Sequence, residues 1–213
     1  MRISIAIMAH PSRSKQASSL AVRLGQYPFT DTAIIWDKRN EEWHTGERAL
    51  RFGAGKADWH VVLQDDALLT PHFYDNLVAA IQAMPERSLI SLYTGTARPI
   101  PDRVKSAVDK APDGSWLRFH QLLWGVGIAI PTDHIAPMLE FVEGVNLPYD
   151  NRIGEFYCRN GVTVYYTVPS LVDHDDDLDT LLEGHGRHKS PEPRRAHRLA
   201  SKLIHWTNQK API

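Results

Sequence analysis

Residues 58–69 read DWHVVLQDDALL, in which a short apolar run ends in two adjacent acids, Asp65 and Asp66. The run from His60 to Leu63 is too short for a helix and is rich in β-branched residues, so it predicts a central strand. In an open α/β sheet, ligands bind beyond the carboxyl ends of the strands. The two carboxylates are therefore expected at a ligand-binding edge.

Two carboxylates at such an edge suit a hard divalent cation, which prefers oxygen ligands and can bridge to phosphate. A solvated turn is the simpler alternative for Asp65 and Asp66, because aspartate is a common turn former. The pair by itself does not decide between these two interpretations.

Alternating strands and helices are predicted on both sides of this run. The first three strands are predicted over Ile3–Ala9, Ala33–Trp36 and His60–Leu63. Apolar stripes at helical spacing follow each of them, and the order β-α-β-α-β-α is typical of an α/β fold with a mostly parallel sheet and helices on both faces. Thr70 and Pro71 match the N-cap and first position of the third helix. Later patterns predict strands over Ser88–Thr94, Leu122–Ile130 and Val162–Val168, helices from Thr132 and Asp150, and a loop over Gly95–Ser115.

Length and composition are those of an ordinary globular protein. The chain has 213 residues and a formal net charge of −1, which fits one large α/β domain or one domain with a tail. No apolar run approaches the ~20 residues that span a bilayer, and residues 1–10 turn polar too soon for a secretory signal, so a cytoplasmic location is expected. The one cysteine, Cys158, excludes an internal disulfide and a cysteine-based zinc site.

Positive charge is concentrated towards the end of the sequence. Residues 184–213 carry seven Lys or Arg and one acid, a net charge of +6, which leaves −7 on residues 1–183. We therefore divide the chain into a domain over 1–183 and a basic tail over 184–213. Apolar and basic residues recur in the tail at helical spacing and predict a basic amphipathic helix. Docking onto the domain is its simplest role, and contact with a membrane surface or nucleic acid is the alternative.

Polar segments follow the first three predicted strands. They are His10–Arg13, Asp37–Arg39 and the Asp65–Asp66 pair. In a parallel sheet these segments meet at one edge and would fit a ligand with a base, a ribose and a phosphate. The sequence has no GxGxxG after the first strand and no GxxxxGK[ST], so phosphate would have to be held by a metal and by cations.

Four segments, in this order, resemble those of GT-A-fold glycosyltransferases of the lipopolysaccharide or family 2-like type. The segment QDDA (64–67) resembles the DxD-type motif in its EDD form, although Gln64 stands where related enzymes often have an acid. The other three are WGVGIAIP (124–131), similar to a WGT-like strand, YDNRIGEFYCRNG (149–161), similar to the acidic helix start of inverting members, and PSLVDH (169–174), similar to a closing P-S-L-V-x-H segment. The likeness spans residues 3–174, and the chain resembles the small stand-alone transferases that actinobacterial phages encode.

The resemblance implies a GT-A-like domain that binds a nucleotide sugar, most readily a UDP-sugar. Asp66, with Asp65, would hold Mn²⁺ or Mg²⁺ at the donor diphosphate, and His174 would complete the metal shell or touch the phosphate. Asp37 would bind the ribose or base. The nucleotide loop would be lined by His10 and Arg13.

The resemblance also implies groups for the transfer step. Asp150 would be the general base that deprotonates the acceptor hydroxyl, as in an inverting transfer. Trp124 would stack on the sugar or base. Arg187, His188 and Lys189 would stabilise the leaving diphosphate.

Simpler structural roles remain open for these residues. Asp150 would be explained by helix capping, and His174 by pairing with the acids beside it. Trp124 would fit a plain core position, and His10, Arg13 and Asp37 would fit turns and strand ends. His60 inside a strand favours a satisfied core histidine over a ligand.

The acceptor and the function class also have alternatives. The acceptor would be a glycan, a lipid or a hydroxymethylated base in phage DNA, the last suggested by the basic tail. A non-catalytic nucleotide- or sugar-binding module of the same fold is the main alternative to an enzyme. A metal-dependent phosphohydrolase is disfavoured because the histidines lack the spacing of a two-metal site.

Overall fold

The structure is a computed structural model that describes residues 1–97, 99–178 and 193–213. Its N-terminal part alternates strands and helices as predicted. The elements are β1 (Ile3–Ala9), a 3-10 turn (Pro11–Arg13), α1 (Ser14–Leu24), β2 (Thr32–Trp36), α2 (Glu42–Gly53) and β3 (Trp59–Gln64). Helix α1 ends at Gly25, as expected from the sequence.

The remainder of the described chain contains four more helices and seven more strands. These are β4 (Ala67–Leu69), α3 (Phe73–Ala83), β5 (Ile90–Ser91), α4 (Pro101–Lys110), β6 (Ser115–Phe119), β7 (Gly127–Pro131), α5 (Thr132–Phe141), α6 (Tyr149–Arg159), β8 (Val164–Val168), β9 (Val172–His174) and β10 (Lys210–Pro212).

An eight-stranded, mostly parallel mixed sheet has the order β10-β6-β8-β5-β7-β3-β1-β2. Strand β1 pairs in parallel with both β2 and β3, so the carboxyl ends of these three strands lie at the same edge. Strand β7 inserts antiparallel between β3 and β5. Strands β4 and β9 form a separate antiparallel pair beyond the end of β3. The predicted α/β class is confirmed.

All seven residues of β1 and the first five of β3 are buried, so these strands form the centre of the core. His60 lies in this core, and its Nε2 donates to the carbonyl of Ala49 at 2.9 Å while its Nδ1 accepts from the hydroxyl of Ser4 at 2.9 Å. Both ring nitrogens are therefore satisfied. A β-carbon on Gly53 would lie 2.0 Å from the His60 ring, so glycine is required beside it.

Two predictions about individual elements are wrong. The Thr70 hydroxyl donates to the carbonyl of Leu171 at 2.8 Å next to the β4–β9 pair, so Thr70 is not an N-cap, and α3 begins only at Phe73. The segment predicted as a loop over 95–115 contains α4, which begins at Pro101. The two buried residues of this helix, Val104 and Val108, are four apart, a helical spacing that the loop prediction overlooked.

The predicted strands around the later part of the sheet are shorter in the structure. Strand β5 covers only Ile90–Ser91, and β7 begins at Gly127 rather than near Leu122. The backbone N–H of Leu123 donates to the Tyr166 hydroxyl at 2.9 Å, which holds this stretch outside the sheet ladder. Cys158 lies on α6 and is half-buried.

The predicted basic amphipathic helix is not formed in the described part of the tail. Residues 193–213, here called the C-terminal strap, contain one strand, β10, paired in parallel with β6, and no helix. Arg198 donates to the carbonyls of Val108 and Ala111, and the N–H of Ile204 donates to Asn76. An extended chain can reach partners that lie this far apart. The hydrogen bonds to them stabilise the extended strap, so the local helical pattern does not lead to a helix. The proposed boundary at residue 183 lies outside the described residues.

None of the helices within the described ranges combines the length and apolar character that a membrane crossing requires.

Candidate functional site

A cleft of about 170 Å³ lies at the common carboxyl edge of β1, β2 and β3. The sequence predicted that polar segments would meet at this edge, and the structure brings them together. Its lining is Met8, Ala9, His10, Arg13, Asp37, Asn40, Glu42, Thr45, Gln64, Asp65, Asp66, His174 and Arg194.

Asp65 joins the end of β3 to the loop that leaves β1. Its Oδ2 accepts the backbone N–H of His10 at 2.8 Å, and its Oδ1 accepts from Arg13 Nη1 at 2.8 Å. Burial raises the pKa of Asp65, while these two hydrogen bonds oppose the rise. Both carboxylate oxygens therefore have partners, and Asp65 holds the 10–13 loop against the acids.

Asp66 is less completely satisfied than Asp65. Its Oδ2 accepts from the same Arg13 Nη1 at 2.8 Å and lies 3.4 Å from His174 Nε2. Its Oδ1 is buried without a hydrogen-bond partner among the described residues, and so is the Nδ1 of His174. A buried polar atom without a partner is costly in a folded protein, so each of these two atoms would gain from a ligand that reached it.

The β4–β9 pair brings His174 to Asp66. Ala67 faces His174 in this antiparallel register, and the N–H of Asp175 donates to the carbonyl of Asp66 at 2.8 Å. Burial lowers the pKa of His174, while the negative charge of Asp66 opposes that change. The structure thus brings Asp66 and His174 together although they are far apart in sequence, and their shared role at a metal stays a prediction.

The donor atoms at this point fit a divalent metal ion in part. A carboxylate oxygen of Asp66 and a ring nitrogen of His174 are donor types that suit Mn²⁺, and the two atoms that face each other, Oδ2 and Nε2, are 3.4 Å apart. Within residues 1–97, 99–178 and 193–213, however, no group of three or more His, Cys, Asp or Glu side chains is arranged to hold a metal. Asp66 and His174 would be only two protein ligands, and a bound diphosphate or water would have to supply the rest.

Asp37 lines the cleft from the end of β2. Its Oδ1 accepts the backbone N–H of Arg39 at 2.9 Å and that of Glu41 at 3.5 Å. Burial would raise the pKa of Asp37, but these backbone hydrogen bonds lower it below its ordinary value. Asp37 therefore closes a turn and also presents a carboxylate to the cleft, so both of its predicted roles are compatible with its position.

Asp150 is not part of the cleft lining. It lies in the first turn of α6, where its Oδ1 accepts the N–H of Asn151 at 2.8 Å, and Pro148 rather than Asp150 occupies the N-cap. Burial raises the pKa of Asp150 to about 6. A β-carbon on Gly125 would lie 3.5 Å from the Asp150 β-carbon, so Asp150 lies beside the WGVG segment.

Tyr149 connects the helix of Asp150 to the helix that lines the cleft. Its buried ring lies between Gly46 of α2 and Gly125, where added β-carbons would approach ring atoms to 2.4 and 2.8 Å. The absence of side chains at these glycines therefore sets how closely α2 and α6 approach. Sequence reasoning missed this contact, because two glycines and a tyrosine in separate segments show no local pattern.

Trp124 is buried in an aromatic cluster. Its ring meets Tyr93 edge to face at 5.8 Å and Tyr166 at 6.1 Å between centroids. With 9% of its surface exposed, Trp124 occupies a core position, which is the simpler of the two roles considered for it from the sequence. A stacking role for Trp124 stays a prediction.

Two further charged residues of the lining, Arg194 and Glu42, were not predicted. Arg194 reaches the cleft from the C-terminal strap, and its Nε donates to Asp176 at 2.9 Å. Glu42 accepts from the Gln64 side chain at 3.3 Å, so an acid stands next to the position where related motifs often carry one. The high density of arginine in the tail was the available signal for Arg194.

The predicted cations Arg187, His188 and Lys189 lie outside the described residues.

The chain matches no protein-family model and no curated protein sequence.

Proposed function

We propose that this protein is a metal-dependent glycosyltransferase that moves a sugar from a nucleotide-sugar donor to an acceptor hydroxyl. The observation that carries the proposal is the cleft at the carboxyl edge of three strands, where Asp66 Oδ2 and His174 Nε2 lie 3.4 Å apart and each side chain keeps one buried atom without a partner among the described residues. Ligands of open α/β folds bind at such edges. The four segments that resemble GT-A enzymes contain both of these residues.

The donor would lie across the ends of β1, β2 and β3. Asp37 and the 10–13 loop would meet the ribose and base, and Arg13 and Arg194, which line the same cleft, would meet the diphosphate. Guanidinium groups bind phosphate through two parallel hydrogen bonds. Asp66 and His174 would hold Mn²⁺ or Mg²⁺, and such an ion, when bound, neutralises charge on a leaving diphosphate.

Asp150 is the proposed general base, in an inverting transfer. A base works best when its pKa lies near the operating pH, and burial brings the pKa of Asp150 to about 6. It would take the proton of the acceptor hydroxyl as the oxygen attacks the anomeric carbon of the donor sugar. The bond from that carbon to the diphosphate breaks in the same step.

A glycan, a lipid or a modified base in DNA is the proposed acceptor. The tail motivated the DNA acceptor, but Arg194 and Arg198 form ion pairs with Asp176 and Asp113 of the domain. Arg195 donates to the carbonyl of His174 at 2.9 Å. A nucleic-acid phosphate would therefore have to compete with these contacts for the three arginines.

The proposal is tested by binding and turnover with a UDP-sugar. A ligand that binds the native state raises the melting temperature, so UDP with Mn²⁺ should raise it more than either alone. Asp66→Asn should abolish that joint effect and the release of UDP from a UDP-sugar. The control Asp109→Asn removes an exposed acid that pairs with Lys105 on α4 and should change neither. Absence of any nucleotide effect in the wild-type protein would overturn the proposal.

A non-catalytic nucleotide- or sugar-binding module is the second candidate, and one observation favours it. Asp150, the proposed base, does not line the cleft. A module would bind UDP-sugar with Mn²⁺ but release no UDP with any acceptor. Release of inorganic phosphate in place of UDP would instead indicate a phosphohydrolase.

A further inference from the structure

One nitrogen atom of Arg13 lies between the two acids of the cleft. Nη1 is 2.8 Å from Asp65 Oδ1 and 2.8 Å from Asp66 Oδ2, and the side chain of Arg13 is only 12% exposed. A cation that bridges two carboxylates would occupy this same position. The positive charge of the arginine therefore already neutralises part of the acidic pair in the free protein.

The surroundings hold Arg13 in this place. It ends the 3-10 turn that begins at Pro11, and the preceding His10 N–H is bound to Asp65 Oδ2. Asp65 therefore accepts hydrogen bonds both from the backbone of the loop, at His10, and from the Arg13 side chain. Asp66 is held by Arg13 on one oxygen only, while its other oxygen lacks a partner in the described chain. The hydrogen bond from Arg13 to Asp66 can therefore be replaced by another contact while Asp65 still holds the loop.

We propose that Arg13 is a latch that competes with a divalent cation for Asp66: the cation binds when the guanidinium leaves Asp66. This inference rests on the proposed function only in that the cation is the metal of the donor site. Two positive groups repel each other and cannot both lie between the same carboxylate oxygens. Arg13 remains tethered by its loop to Asp65, so after the exchange its guanidinium stays at the cleft, where a phosphate could accept its hydrogen bonds.

The latch makes a specific prediction for the binding of Mn²⁺ alone. Arg13→Gln removes the competing charge and should bind Mn²⁺ at least tenfold more tightly than the wild-type protein, as measured by the loss of the free Mn²⁺ signal in electron paramagnetic resonance. Arg13→Lys keeps a positive charge and should stay within about threefold of wild type. The matched control Arg23→Gln removes an arginine of α1 that donates to the carbonyl of Thr70 and does not touch the acids. It should bind Mn²⁺ as the wild type does.

A second measurement uses only the wild-type protein, in case Arg13→Gln does not fold. An arginine-specific reagent such as phenylglyoxal should label Arg13 slowly without metal and at least fivefold faster with saturating Mn²⁺, read by mass spectrometry of the Arg13 peptide. Labelling of Arg23 should be unaffected.

Equal or weaker Mn²⁺ binding by Arg13→Gln, or Arg13 labelling that does not increase with Mn²⁺, would overturn the latch. If the wild type nevertheless transfers sugar with Mn²⁺, the proposed function stands without it. If Arg13→Gln binds Mn²⁺ more tightly and no variant binds or turns over a UDP-sugar, the latch stands and the proposed function fails.

Discussion

His174 Nε2 lies 3.4 Å from Asp66 Oδ2, across the register in which Ala67 faces His174. The short β4–β9 pair thus brings Asp66, which follows β3, next to His174, the last residue of β9. Both side chains keep one buried atom without a partner in the described structure. This relationship leads to the first prediction.

His174→Gln should weaken Mn²⁺ binding at least tenfold, because it removes an imidazole donor next to Asp66 while keeping a polar side chain of similar reach. The measurement is a calorimetric titration of Mn²⁺ in the presence of UDP. His120→Gln, which replaces an exposed histidine next to Phe119, is the control and should bind Mn²⁺ normally. An unchanged affinity in His174→Gln would remove His174 from the metal site.

Asp150→Asn should lower the rate of sugar transfer by a factor of roughly 10²–10⁴, the usual contribution of a general base. Binding of the UDP-sugar should survive, because Asp150 lies outside the cleft lining. The wild-type rate should rise as the pH passes about 6, where Asp150 ionises, and the variant should lack this rise. Steady-state transfer assays from pH 5 to 8 provide the check, and an unaltered rate in the variant would reduce Asp150 to a structural residue.

The same substitution should stabilise the fold at pH 7. The pKa of Asp150 is about 6 in the folded protein and ~3.9 in an unfolded chain, so the folded state binds more protons between these values. Stability is then fully present below pH 4 and declines as the pH rises through 6, by at most about 3 kcal/mol. Urea unfolding at pH 7 should show Asp150→Asn to be more stable than wild type, whereas at pH 4 the two should differ little.

His60 should make the protein sensitive to acid. Burial lowers its pKa to about 4, against ~6.5 in an unfolded chain, so the unfolded state binds more protons between these values. Stability is present above pH 6.5 and is lost as the pH falls, by about 2 kcal/mol between pH 7 and pH 5. His60→Gln is expected to be less stable at pH 7 and to lose less stability on acidification. Equal pH slopes for the two proteins in urea unfolding would contradict this role.

Gly46→Ala should destabilise the protein by about 1–3 kcal/mol, because its β-carbon would lie 2.4 Å from the buried Tyr149 ring. The control Gly25→Ala adds a β-carbon whose nearest neighbour is 3.4 Å away, at a negative φ, and should be nearly neutral. Thermal unfolding of both variants tests this contact. If Gly46→Ala were as stable as the control, the close packing of α2 against Tyr149 would not require glycine at position 46.

Local patterns predicted the first half of the fold well. Alternation of short apolar runs with helical stripes is a property of neighbouring residues, so β1, α1, β2, α2 and β3 could be read directly. The convergence of His10, Asp37 and Asp65 on one edge followed, because parallel pairing places the carboxyl ends of strands together. The closeness of His174 to Asp66 was predicted only through the resemblance to GT-A enzymes.

Helix α4 and the C-terminal strap were not predicted. Helix α4 offers one pair of buried apolar residues at helical spacing, Val104 and Val108, among five charged residues, and a single pair is a weak local signal. The strap has a helical pattern, but its chain is extended, and Arg198 donates hydrogen bonds to the carbonyls of Val108 and Ala111. Such partners are distant in sequence and do not contribute to a local pattern.

The amino-acid sequence by itself determined the α/β class, the order of the first elements and the position of the acids at a strand end, because these depend on short-range periodicity and on where each apolar run stops. Only the tertiary structure decided that Arg13 lies between Asp65 and Asp66 and that Asp150 lies outside the cleft. Those relationships depend on distances between segments that are remote in the chain, which are set by how the strands pair and how the helices pack.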